Sequence, residues 1–332
     1  MASAPERGAV LVTGGAGYVG SHVCKALSRA GFLPVTLDNL ATGHRWAVKW
    51  GPLEIGDVRD AGLLEALMRR YRAGAVMHLA ALSLVGRSAE LPFEYYDVNV
   101  GGALALSLAM RNCGLRRLVF SSTCAVYGMP DRLPVAEDAP TLPVNVYGRT
   151  KLAEENLFAD LARANVIDAV LLRYFNAAGA DGDGEIGEAH EPESHLIPLA
   201  IRAALDPGAP MKLFGTDYPT PDGTCLRDYI HVEDLAAAHL KALELLDRAP
   251  GCHAFNLGTG VAVSVREVVA SVERLSGRPV KIVESPRRAG DPAQLLASPE
   301  KARRELGWSS AAGIDAMVGS ALNWHRKRSQ AA

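Results

Sequence analysis

The apolar run Ala9-Val-Leu-Val-Thr13 breaks into Gly14-Gly-Ala-Gly-Tyr-Val-Gly20 and resumes as a helical pattern through His22, Val23, Ala26, Leu27 and Ala30. That order is strand, tight turn, helix. Glycines allow the sharp turn and let a pyrophosphate approach the amides at the helix N-terminus. Gly15, Gly17 and Gly20 match G-x-G-x-x-G, and Gly14, Gly17 and Gly20 match G-x-x-G-x-x-G. Either match alone is weak, because a glycine turn also occurs in unrelated α/β domains. An acid at the right distance strengthens it. Asp38 closes a second strand, Leu33-Pro-Val-Thr-Leu37, 18 residues beyond Gly20, where a carboxylate accepts hydrogen bonds from an adenosine ribose. Asp38-Asn39 has no adjacent arginine for a 2′-phosphate, so the pattern selects NAD over NADP.

The rest of the first half repeats strand and helix. Further strands read at the run ending Ile55-Gly-Asp57, at Ala75–Ala80, at Leu118–Thr123 and at Ala169–Arg173. Helices read at Ala61–Tyr71 with Asp60 as N-cap, at Pro92–Asn112 before Gly114, and at Tyr147–Asn165. Alternation of this kind specifies a doubly wound parallel α/β sheet, a Rossmann fold. After Asn176 the character changes. Ala177–Glu193 is glycine- and acid-rich and reads as a surface loop, followed by short mixed elements and the amphipathic helix Asp234–Leu246. The predicted organisation is a dinucleotide domain over residues 1–176 and a smaller mixed α/β domain over 177–332, with parts of 228–258 returning to the first sheet.

With 332 residues, 48% hydrophobic and 22% charged, the chain has a globular composition. A net charge of −2 with no basic stripe gives no footprint for nucleic acid. Five cysteines without a C-x-x-C pair suit reduced thiols in the cytoplasm. No metal-ligand spacing stands out. Met1–Gly8 lacks a signal-peptide pattern, and no apolar run reaches the roughly 20 residues of a membrane span.

The chemistry centres on Tyr147-Gly-Arg-Thr-Lys151. Residues four apart share a helix face. A tyrosine at its ordinary pKa of about 10 is a poor base at neutral pH. A lysine charge about 6 Å away, at an effective dielectric near 20, favours phenolate by about 3 kcal/mol. An oxidised nicotinamide would push the same way, so the pair suits proton transfer at a hydroxyl beside NAD. Alone, Y-x-x-x-K usually marks a helix surface; the upstream dinucleotide turn makes it a site. Thr123 ends a strand that would aim its hydroxyl at the same place, although a strand-end threonine also commonly bonds backbone.

The motifs GGAGYVG, LDNL, GDVRD, FSSTCAVYG, YGRTK, LRYFNAAG and LRDYIHVEDLA together resemble the extended short-chain dehydrogenase/reductases. Within them the chain is similar to the UDP-glucose 4-epimerase family from Val10 to about Trp308. SSTCAVYG and SHLIPLA resemble the branch found with bacterial exopolysaccharide synthesis, and FGTDYPTPDGTCLRDYIHVEDLA and PRRAGDP strengthen the likeness.

The resemblance implies that Gly14, Gly17, Tyr18, Val19 and Gly20 hold the pyrophosphate of NAD. Asp38 and Asn39 would hold the adenosine ribose, and Asp57 and Val58 the adenine. Leu79 and Ala80 would line the cofactor, Lys151 would bond the nicotinamide ribose, and Tyr174 and Phe175 would flank the nicotinamide. Asn176, His195, Leu196, Phe214, Arg227, Arg288, Asp291 and Leu295 would contact a UDP-sugar, with Thr123 and Tyr147 at its reacting carbon. Either arginine read alone is equally a surface residue.

The implied activity inverts C4 of a UDP-hexose through a transient 4-keto sugar, with proton transfer at Tyr147 and hydride passing to NAD and back. UDP-GlcNAc and UDP-pentoses are the alternative substrates. Leu295 replaces a tyrosine or small residue in many relatives, and Ser83 replaces a lysine near the cofactor phosphates. A 4,6-dehydratase would need an Asp-Glu pair after the threonine, where Cys124-Ala125 stands. A uronate decarboxylase or epimerase would require an arginine at the C6 carboxylate. A silent NAD-binding regulator would be expected to lack Tyr147 or Lys151. The helices at Pro92–Asn112 and Tyr147–Asn165 resemble those of a homodimer contact, with Leu104, Leu108 and Phe158 as candidate contact or core positions.

Overall fold

The computed structural model describes residues 7–206, 208–288 and 291–331, with side chains to 328. Expectations on the tail before Arg7, and on Ala289 and Gly290 of PRRAGDP, lie outside the described residues. The strands are β1 Ala9–Thr13, β2 Leu33–Asp38, β3 Leu53–Ile55, β4 Ala73–His78, β5 Arg117–Thr123, β6 Asp168–Tyr174, β7 Asn176–Ala178, β8 Met211–Phe214, β9 Leu226–His231, β10 Cys252–Leu257, β11 Ala262–Ser264, β12 Ile282–Ser285 and β13 Gln294–Leu295. The helices are α1 Tyr18–Arg29, α2 Ala61–Tyr71, α3 Val85–Ser88, α4 Pro92–Tyr95, α5 Gly102–Cys113, α6 Val146–Arg163, α7 Leu196–Leu205, α8 Val232–Arg248, α9 Val265–Ser276 and α10 Ile314–Ala331.

Seven strands form one sheet in the order β10-β6-β5-β4-β1-β2-β3, every neighbouring pair parallel. Its strands are apolar on both faces because helices cover both. On one face Val23 and Leu27 of α1 and Leu235 and Leu243 of α8 pack on Val10 and Val12. On the other, Leu64, Leu106 and Phe158 from α2, α5 and α6 pack on Leu11 and Phe120. Strand order reverses its direction of growth between β1 and β4, and the carboxyl end of such a switch point is where doubly wound sheets open a crevice.

Outside this sheet, β9 is the organising strand. Its first half pairs with β11 and β13, and its second half with β7. The buried Asp228 carboxylate ties it to its neighbours by accepting from Thr259 N at 2.7 Å, Gly260 N at 3.0 Å and Ala297 N at 3.1 Å. The helices α7, α9 and α10 close a separate core through Ile201, Val272 and Val318.

Two expectations need correction. The helix read over Pro92–Asn112 is interrupted by a π turn at Tyr96–Gly101. There Asn99 turns inward, accepts from Leu82 N at 2.8 Å and donates to Thr150 Oγ1 at 2.9 Å. A Cβ at Gly102 would meet Val58 at 2.6 Å, so the glycine permits the close approach. Wide turns of this kind often sit at functional sites. Second, Ala177–Glu193 is not a surface loop throughout. Ala178, Ala180, Asp181, Ile186 and Glu188 are buried; Lys25 pairs with Asp181, and His195 lies against Glu188. Among the described residues no helix is long and apolar enough to cross a membrane.

Candidate functional site

The glycine turn is built for close contact. Gly14 adopts φ +74°, and a Cβ there would lie 2.6 Å from Ala80 N; one at Gly20 would lie 2.1 Å from Gly14 O. Gly17, the N-cap of α1, offers no side-chain cap, so the first-turn amides of α1 keep no side-chain acceptor there. An anion is the natural partner for such a terminus. At the end of β2, Asp38 accepts from Ala16 N at 3.0 Å and Leu40 N at 2.8 Å, while burial raises its pKa. Asp57 is held down at about 2 by Arg59, and Val58 is buried beside the π turn. This cradle and carboxylate fit NAD. The Tyr18 hydroxyl donates to Gly179 O at 2.6 Å, so its side chain bridges to the β7 end while its backbone stays in the turn.

Asn145 caps α6 by accepting from Gly148 N at 2.7 Å, which puts Tyr147 in the first helical turn. Thr123, at the end of β5, accepts from Ala125 N at 3.1 Å and hydrogen-bonds Tyr147. Burial, then Tyr174 and Glu154, hold Tyr147 well above its usual pKa; the bond with Thr123 works the other way.

Lys151 corrects the charge argument. Its side chain is almost wholly buried. It lies 3.2 Å from Glu154 Oε2 and 3.9 Å from the Phe120 ring centroid, and burial lowers its pKa against the pull of Glu154. Glu154 comes one turn later on the same side of α6, so it meets the lysine first. The chain of groups continues: His78 Nε2 lies 3.5 Å from Glu154 Oε1, and His78 Nδ1 lies 2.7 Å from Thr13 Oγ1. Ala80 N reaches the same threonine at 3.4 Å. All four side chains are buried. A polar line therefore runs from the glycine turn, through the sheet, to the Tyr147 helix. Sequence reasoning missed His78 and Glu154. The available signals were a histidine inside the apolar run Ala75–Ala80 and an acid three residues after Lys151.

The remaining candidates spread over the second body and the end of β6. Tyr174 hydrogen-bonds Ser121 and lies close enough to raise Tyr147, whereas Phe175 is buried with Val126, Tyr127 and Val135. Asn176 donates to Asp228 O at 2.9 Å. Arg227 pairs with Asp291, and Arg288 stacks on Phe214 with its guanidinium carbon 4.1 Å from the ring centroid. These four form one local group, with Leu295 beside Arg227 in the β13–β9 pairing. His195 is the N-cap residue of α7, followed by half-buried Leu196; its Nδ1 lies 2.8 Å from Glu188 and 3.1 Å from Glu193. Ser83 is exposed.

Residues 10–258 match the NAD dependent epimerase/dehydratase family. A UDP-glucose 4-epimerase of Rhizobium meliloti is 48% identical over 321 residues, covering 97% of this chain and 98% of that protein. The crystal structure of UDP-glucose 4-epimerase from Brucella ovis in complex with NAD superposes with a TM-score of 0.92 at 48% identity, covering 96% of this chain and 98% of that one. A UDP-glucose 4-epimerase structure from Stenotrophomonas maltophila, with bound NAD and formylated UDP-arabinopyranose, gives 0.94 at 41% identity, with 98% and 100% covered. The chain belongs to the NAD dependent epimerase/dehydratase family.

Proposed function

We infer that this family member is a UDP-glucose 4-epimerase that interconverts UDP-glucose and UDP-galactose with NAD. The observation that carries the reading is the joining of two halves of one site. Thr13, His78, Glu154 and Lys151 lie one after another, all buried, between the dinucleotide turn and the helix that bears Tyr147.

NAD held at the glycine turn supplies a hydride acceptor and donor, so the reaction has no net redox change. In our reading Gly14, Gly17, Val19, Gly20 and the backbone of Tyr18 face its pyrophosphate, and Asp38 and Asn39 its adenosine ribose. Asp57, Val58, Leu79, Ala80, Tyr174 and Phe175 line the rest. Tyr147 takes the proton of the sugar 4-hydroxyl and later returns it. Thr123 donates to the phenolate oxygen, which stabilises the charged form. Lys151 offers a cation to the phenolate and a donor to the nicotinamide ribose once its ammonium turns from Glu154. Arg227 and Arg288 supply charge-assisted bonds to the UDP diphosphate. Asn176, His195, Leu196, Phe214, Asp291 and Leu295 complete the sugar-nucleotide pocket, which residues 177–332 contribute. The 4-keto sugar turns over while the nucleotide stays anchored.

A coupled assay of UDP-galactose conversion to UDP-glucose tests this directly: turnover is expected, and its absence overturns the reading. Running UDP-GlcNAc and UDP-xylose beside it reads how far Leu295 opens the sugar pocket. We further propose a cytoplasmic homodimer built on α5 and α6. Leu104 and Leu108 are exposed on α5, as are Phe93 and Tyr96 before it, whereas Phe158 is wholly buried and belongs to the core. Light scattering that finds only monomer removes the dimer.

A further inference from the structure

We propose that Glu188, His190, Glu193 and His195, in the segment before α7, form a divalent transition-metal site of the zinc class. The four residues come from one stretch, E-x-H-x-x-E-x-H. One donor atom from each converges. His195 Nδ1 lies 2.8 Å from Glu188 Oε1 and 3.1 Å from Glu193 Oε1; His190 Nδ1 lies 3.2 Å from Glu188 Oε1 and 3.9 Å from Glu193 Oε2. Four ligands at 2.0–2.1 Å around a tetrahedral ion stand about 3.3 Å apart, and one donor atom from each of the four residues lies within 4.8 Å of the others. Two imidazoles and two carboxylates are a donor set that suits zinc better than calcium or magnesium.

Among the described residues the buried His190 Nδ1 has no hydrogen-bond partner, despite its nearness to Glu188. The two imidazole rings lie with centroids 4.9 Å apart, and one dication would balance both carboxylates. His325 on α10 also faces Glu188 and Glu193, and Tyr18 packs edge-on to His190 with ring centroids 6.3 Å apart. The site therefore sits where two carboxylates lie close to the expected phosphates. With Nδ1 on the metal, Nε2 of His195 stays available as a donor to the UDP-sugar. The neighbouring acid cluster, Asp181, Asp183 and Glu185, is a different case, because Lys25 already occupies its centre.

The test uses the full chain purified without added metal. Elemental analysis is expected to find one zinc per chain. After chelation, CoCl2 is expected to restore an intense visible spectrum of tetrahedral Co(II), displaced by ZnCl2. Glu188→Gln and His190→Ala should each lose that spectrum while keeping the native circular dichroism. A metal-free protein that gives no Co(II) spectrum overturns the proposal, as does an unchanged spectrum in folded variants. If a variant fails to fold, the unmodified chain decides alone: weak octahedral bands overturn the site. Metal content is read without turnover, so an inactive chain that holds zinc would sink the functional reading and leave this one standing.

Discussion

Lys25 and Lys151 are both buried lysines beside carboxylates, yet their environments oppose one another. Lys25 meets three acids, Asp181, Asp183 and Glu185, at 2.7–2.8 Å, and its pKa rises despite burial. Lys151 meets one acid at 3.2 Å and an aromatic face, and burial drives its pKa down. Desolvation opposes the charge in both; the number and closeness of the carboxylates decides the outcome. The first lysine is locked as an ammonium and clasps α1 to the segment after β7. The second has its pKa lowered by burial, with Glu154 pulling the other way.

The sharpest way to break this contrast is turnover. Lys151→Met is expected to lower kcat on UDP-galactose by about 100- to 10,000-fold, the range for general acid–base groups. Lys25→Met, measured in the same assay, should stay within a few-fold. Equal losses in two folded variants would erase the distinction. Stability reverses the ranking. Lys25→Met leaves the fully buried Asp181 carboxylate unpaired, and denaturant titration should show a loss of about 3 kcal/mol.

Glu154→Gln sharpens the inner half. Glu154 raises both Tyr147 and Lys151. Removing its charge makes the phenol more acidic and the ammonium more easily lost. Both limbs of the pH profile of kcat/KM should then move to lower pH, by about one unit. An unmoved profile would show that Glu154 does not act on the reacting groups. The smallest effect concerns acid stability. Asp181 and Asp183 are held below their ordinary 3.8 by Lys25, so their contribution is present above that value and fades as pH falls through the lowered ones. Unfolding midpoints of the parent chain should therefore drop below about pH 4, and Lys25→Met should flatten that limb.

Much of this was legible beforehand where chemistry is local. The glycine turn, Asp38, the alternating elements and the Tyr147–Lys151 spacing follow from short-range rules, and the structure keeps them together. The π turn was not, because Asn99 pays off only against Leu82 and Thr150, which lie far away in the chain. Nor was the inward packing of Asp181 and Glu188, since an acid-rich run looks solvated until its partners are known. Phe158 and Leu104 were indistinguishable as apolar helix positions; packing put one in the core and left the other exposed.

By itself the sequence determined the doubly wound sheet, the glycine turn and the spacing of Tyr147 and Lys151 on one helix, because backbone sterics and residue spacing act over a few positions. Only the tertiary structure decided the direction in which burial and neighbouring acids shift each lysine, and the polar line from Thr13 to Lys151. Those depend on desolvation and on distances between side chains on different elements, which no local pattern encodes.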